Sequence, residues 1–206
     1  MTIQKENSND KKTIQLNELE TFCPSSQQEW REWLKEYHNS KQSVWLICYK
    51  KQTNIPTISW SDAVDEALCF GWIDSTRKTI DNDKFIQFFC KRKTNSAWSK
   101  INKEKTEKLI QNELMTPAGY KSIETAKQNG SWTILDEVEE LLIPADLEKA
   151  FENHKDSKEF FLSLSKSAKK IILHWIVSAK RQETRQNRIN ETAELAAQKL
   201  KPKQFR

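Results

Sequence analysis

The chain alternates between two hydrophobic periods, and each change of period marks an element. SSQQEWREWLKEYHN (25–39) places Trp30, Trp33, Leu34 and Tyr37 at helical spacing behind a serine cap. SVWLICYKK (43–51) follows as an unbroken β-branched and aromatic run, the pattern of a central strand buried on both faces. SWSDAVDEALCFG (59–71) returns to the helical period, with Ser59 at the cap, Asp62 three residues on and Gly71 at the left-handed position past the end. Its apolar face reads as Trp60, Ala63, Val64, Ala67 and Leu68, and its wet face as Ser61, Asp62, Asp65 and Glu66. WIDSTRKTI and KFIQFFCKR, joined by Asp81, Asn82 and Asp83, predict a hairpin.

A Lys-rich amphipathic helix is predicted over 99–114, and another from Pro117, behind Thr116 as cap, to a stop at Gly130. Beyond Gly130 the periodic stretches are all helical: PADLEKAFE, SKEFFLSL, SAKKIILHWIVSAK and ETRQNRINETAELAAQKL. In the third, Ile171, Ile172, Trp175, Ile176 and Ala179 form an apolar face that needs a covering layer, expected from the sheet. The fold class is therefore α+β: a small antiparallel sheet with packed helices, followed by an all-helical C-terminal module. The boundaries are a flexible N-terminal tail over 1–19, an α+β module over 20–130 and a helical module over 131–206.

Composition removes several function classes. No apolar run approaches the roughly 20 residues of a membrane span, and IILHWIV is broken by His174. The opening residues MTIQKENSNDKKTIQLNELE have no apolar core, so the reading is no secretory signal and a cytoplasmic protein. Cys23, Cys48, Cys69 and Cys90 form no CxxC pair, and His38, His154 and His174 lack metal-ligand spacing. They read as free thiols, with no metal and no cofactor. Gly71, Gly119 and Gly130 write neither a dinucleotide fingerprint nor a phosphate loop.

Charge and aromatics then nominate residues. Positions 166–206 carry 11 Lys/Arg against 3 Glu, and KRKTNSAWSKINKEKTEK (91–108) is a second basic cluster. Arg181, Arg185 and Arg188 can share one helix face, and guanidinium groups suit bidentate contact with carboxylate or phosphate. Arg92, Lys93 and Trp98 add a cation–aromatic mix, although no nucleic-acid reader motif is present. In ALCFGWIDS, Cys69 reads as a small buried hydrophobe rather than a nucleophile, since no histidine lies near it in sequence. Asp74 shares a strand face with Trp72 and Thr76, which predicts a largely buried carboxylate paired with Arg185 or Arg188, and with Arg92 in reserve. The candidate ligand-binding residues are thus Trp72, Asp74, Arg92, Lys93, Trp98, Arg181, Arg185 and Arg188, with no catalytic residue and no metal ligand. The ligand this set suits is a small anion or an acidic protein surface.

Five blocks in one order, ALCFGWIDS, RKTNSAWSKIN, MTPAGYKSIETAKQNGSW, PADL and SAKRQETRQNRI, resemble the YdeI or OmpD-associated family over about residues 20–200. The helices from about Pro144 onward look like that family's C-terminal OmdA module. The resemblance implies a role in stress or in protection against cationic antimicrobial peptides (bacteriocins). The chain departs from the family at Gln182 and near Lys91, where prolines are expected. The function expected is a cytoplasmic, non-enzymatic binding protein. The alternatives are an enzyme acting on a small anionic substrate, with Asp74 as base and the arginines as clamp, or a weak nucleic-acid binder through the basic clusters.

Overall fold

The change of period at Gly71 becomes a hairpin packed under two helices in the computed structural model, which describes residues 20–205. The tail expected over 1–19 lies outside the described residues. The described residues form two units: those up to Lys93 with Lys105–Ser122, and Thr94–Glu104 with those from Ile123 onward. Residues 94–104 and 123–130, read from sequence as part of the α+β module, cluster with the helical unit.

The first unit is built on four strands, β1 (Thr21–Phe22), β2 (Ser43–Tyr49), β3 (Trp72–Thr79) and β4 (Lys84–Lys91), in the order β1-β2-β4-β3. The predicted hairpin is β3–β4, antiparallel, with a register shift between Asp74 and Arg77. β1 runs parallel to β2, Thr21 opposite Trp45, so the sheet is mixed rather than wholly antiparallel. A two-residue strand is too short to leave a period in the sequence. β2 is interior as expected, but only one of its faces is fully buried. Val44, Leu46 and Cys48 are covered, while Trp45, Ile47 and Tyr49 on the opposite face are half-buried. Apolar residues on both faces hid that alternation.

Helix α1 (Gln27–Tyr37) and helix α2 (Trp60–Cys69) hold the covered face. Trp30 is fully buried, donates from its indole to the Ala63 carbonyl at 3.0 Å and lies 5.5 Å from the Phe89 ring. The α2 cap forms as read: the Asp62 amide donates to the Ser59 hydroxyl at 3.1 Å, which donates to the Asp62 carboxylate at 2.7 Å. Gly71 takes φ +71°, and an added Cβ would meet the Ala118 carbonyl oxygen at 3.0 Å. Two assignments on α2 are corrected. Trp60, expected in the core, is 50% exposed; it is the first residue of α2, and its indole N–H donates to the Asp74 carboxylate. Glu66, expected wet, is 3% exposed and faces α1, where Arg31 meets it at 2.6 Å and Gln27 at 2.7 Å.

Two further helices follow, α3 (Lys100–Gln111) and α4 (Pro117–Gln128). Pro117 opens α4 as expected, but the Thr116 hydroxyl donates to the Cys69 carbonyl at 2.6 Å. In the second unit, the four predicted helices are α6 (Ala145–Glu152), α7 (Ser157–Ser163), α8 (Lys166–Val177) and α9 (Gln182–Ala197), preceded by a one-turn α5 (Asp136–Glu139). Their core joins Leu147, Phe151, Phe161, Ile172, Leu173, Ile176 and Ile189. Each such side chain contributes roughly 1.5–3 kcal/mol on burial. Ile171 is 51% exposed, so the buried stripe of α8 is Ile172, Leu173 and Ile176, and the helices of its own unit supply the cover. Among the described residues no helix is long and apolar enough to cross a membrane.

Candidate functional site

The sequence QQEWREWLKEY gives α1 two adjacent stripes. Trp30, Trp33 and Tyr37 recur at helical spacing, and Glu29, Glu32 and Glu36 follow the same spacing one position earlier. The aromatic stripe is a continuous stack. Trp33 lies 5.1 Å from Trp30, 5.9 Å from Phe22 of β1 and 5.2 Å from Tyr37, with Trp72 edge-on to it at 5.8 Å. Trp30 and Trp72 are fully buried, so the half-buried rings of Phe22, Trp33 and Tyr37 rest on a fixed base.

Above those rings is an open cleft of about 690 Å³, lined also by Gln28, the three glutamates, Glu20 and Lys41. Its charges are locally oriented. The backbone N–H and hydroxyl of Ser25 both donate to the Glu29 carboxylate at 2.8 Å, and the backbone bond foremost holds its pKa below the usual range. Glu32 accepts from Gln28 at 2.5 Å and pairs with Lys35 at 2.8 Å. Glu36 beside Tyr37 pushes the phenol pKa up, so Tyr37 remains a neutral, electron-rich ring. At one end the Lys41 ammonium stands 2.7 Å from Glu20 and 5.9 Å from the Tyr37 ring centroid. Stacked rings beside fixed carboxylates form an environment for a cation: the ring faces attract positive charge and the acids pair with it. Among the described residues no group of His, Cys, Asp or Glu is arranged to hold a metal ion.

The residues nominated from sequence fall into two sets. In the first unit, Trp72 supports the cleft from below and donates from its indole to the His38 carbonyl at 3.3 Å. Asp74 is half-buried and accepts from the Trp60 indole at 2.9 Å and the Gln87 amide at 3.3 Å. Burial lowers the Arg92 pKa to about 10, with the Asp74 carboxylate partly offsetting that effect, and Lys93 is exposed. In the second unit, Trp98 is buried 4.9 Å from Trp132, and Arg181 is exposed at the start of α9. Arg185 gives Nε and Nη2 to Asp146 at 2.6 and 2.9 Å, holding that carboxyl below its usual pKa. Arg188 donates to the Trp175 carbonyl and lies 5.1 Å over the Trp175 ring.

The expected pairing of Asp74 with Arg185 or Arg188 is therefore corrected. Neutral indole and amide donors bond to the carboxylate, the reserve candidate Arg92 interacts with it electrostatically, and Arg185 and Arg188 are each engaged inside their own helical unit. Cys69 is fully buried, and desolvation pushes its thiol to about 11, as suits a core residue. All four cysteines are free. Clustered basic residues do not point to this cleft, whose lining is mainly aromatic and acidic. Its signal was present in EWREWLKEY, where each aromatic of the stripe follows a glutamate.

Residues 140–199 match the family described as bacteriocin-protection, YdeI or OmpD-associated, and residues 22–122 match a domain of unknown function. No curated protein and no solved structure matches the chain. The resemblance read over about 20–200 thus resolves into two domains, with the cleft-lining residues, apart from Glu20, in the first. Its C-terminal helices, over residues 140–199, carry a domain of the YdeI or OmpD-associated family.

Proposed function

We propose that the protein is a cytoplasmic, non-enzymatic binding protein whose cleft takes the cationic side chains of a peptide, in a role that protects against bacteriocins. The observation that carries this reading is the cleft itself, with Phe22, Trp33 and Tyr37 flanked by Glu29, Glu32 and Glu36. At about 1.5 Å of rise per residue, those glutamates extend over roughly 10 Å. That length suits several charges of one chain better than a single ammonium ion. The family description of the C-terminal domain supplies the protective role, and the four free cysteines support a reducing compartment.

The test is a titration of the protein with octa-arginine, followed by tryptophan fluorescence, because Trp33 lines the cleft. Saturable binding that weakens steeply by about 0.5 M salt is expected, since exposed pairs are screened over a few ångströms there. Absence of binding, or equal binding of octa-glutamate, would overturn the reading. The second outcome would favour an anionic ligand instead.

A further inference from the structure

The cleft already contains a cation. The Lys41 ammonium sits 2.7 Å from the Glu20 carboxylate and 5.9 Å from the Tyr37 ring centroid, at the edge of the α1 aromatic stack. Those contacts, one carboxylate and one ring face, are the contacts a ligand ammonium or guanidinium would make there. We propose that Lys41 is a built-in competitor: its ammonium occupies a seat of the peptide-binding cleft, and an incoming basic side chain takes that seat by displacing it. This inference rests on the cation-binding reading above.

Three observations support displacement over a fixed structural role. The Lys41 and Glu20 side chains are 40% and 48% exposed, so their pair is held in a screened, high-dielectric setting where ion pairs are weak. Lys41 lies in the short turn between α1 and β2, and its flexible four-carbon stem can swing aside without moving either element. Its backbone amide is held independently, donating to the Tyr37 carbonyl at 2.9 Å, so loss of the ammonium leaves the turn tied. Displacement exchanges one carboxylate–cation contact for another, and the remaining ligand charges meet Glu29, Glu32 and Glu36. The seat would therefore disfavour single amines, which must compete with a tethered lysine, and favour chains whose other charges bind the glutamate row. The tether gives Lys41 a high effective concentration that only a multivalent ligand can match.

The experiment compares octa-arginine affinity for the wild-type protein, Lys41→Met, Lys41→Arg and Lys51→Met. Lys51 is exposed, does not line the cleft and carries the same charge change. Emptying the seat should tighten binding about five-fold, the upper range expected for a competing exposed ion pair. Lys41→Arg should stay within about two-fold of wild type, and Lys51→Met should show only the smaller gain of one lost charge, well short of the Lys41→Met gain. Wild-type binding with Lys41→Met no tighter than Lys51→Met would overturn the competitor role and leave the cation-binding reading intact. Binding by Lys41→Met alone would mean that the ligand cannot displace Lys41, and would overturn both the exchange proposed here and the wild-type binding proposed above. Binding by neither protein would overturn both.

Discussion

The two units treat their charges in opposite ways. In the helical unit two arginines of α9 are engaged within the unit, although Arg181 is exposed: Arg185 grips Asp146 with two hydrogen bonds, and Arg188 caps the carbonyl and ring of Trp175. In the sheet unit the carboxylates of α1 line an open cleft, tied by neighbours on their own helix or the turn before it but not covered. A basic composition therefore marks the unit whose key cations are structural, and the ligand chemistry lies in the other. Charge density along a sequence reports where charges are, whereas binding depends on which remain exposed after the fold has used its share.

The largest effect should come from the Arg31–Glu66 ion pair of the sheet unit, whose carboxylate is buried. Arg31→Ala would leave the Glu66 carboxylate, 4% exposed, without its cation, at a cost of about 3–5 kcal/mol. Urea unfolding should show the loss; an unchanged midpoint would mean that Gln27 and solvent suffice for Glu66. Next, Arg185→Ala should cost about 2 kcal/mol through two charge-assisted hydrogen bonds, while leaving octa-arginine affinity unchanged. Reduced affinity in that variant would blur the contrast between structural and ligand-facing charge.

The same pair predicts a pH response. Arg185 lowers the folded pKa of Asp146, so the pair contributes stability above the unfolded carboxylate value of about 3.9 and loses it as pH falls through the folded value. Melts in acid should decline less steeply for Asp146→Asn than for wild type. Parallel curves would contradict the assignment. The smallest effect is expected at Asp74. Half-buried and bonded to neutral donors, Asp74→Asn should cost under about 1 kcal/mol, since the amide oxygen still accepts. A larger drop would indicate that Arg92 depends on that carboxylate.

Much of the fold was legible because it is written locally. Ser59, Asp62 and Gly71 bracket α2 through rules that need no tertiary knowledge, and Asp81–Asp83 mark the β3–β4 turn. The errors arose where a side chain's setting depends on a distant element. Glu66 looks wet until α1 brings Arg31 to it, and Trp60 looks buried by its helical spacing although half of it stays exposed and its indole bonds to Asp74. Phe22 gave no strand signal, although β1 places it in the cleft wall. The candidate site was legible in part. Trp72 was singled out for the wrong reason, and it carries the cleft from beneath through Trp33. The glutamate row one position ahead of Trp30, Trp33 and Tyr37 was in plain sight, but acids on a helix ordinarily mean only a solvated face.

The most direct test of the account maps where a polycation lands. Backbone and indole resonances should be followed by nuclear magnetic resonance while octa-arginine is added to the wild-type protein and to the triple variant Glu29→Gln, Glu32→Gln, Glu36→Gln. The account predicts perturbation centred on Phe22, the Trp33 indole, Tyr37 and the backbone of α1, absent or much weakened in the triple variant, with α9 unaffected. Perturbation spread evenly over the acidic surface, or persisting without the three carboxylates, would contradict it.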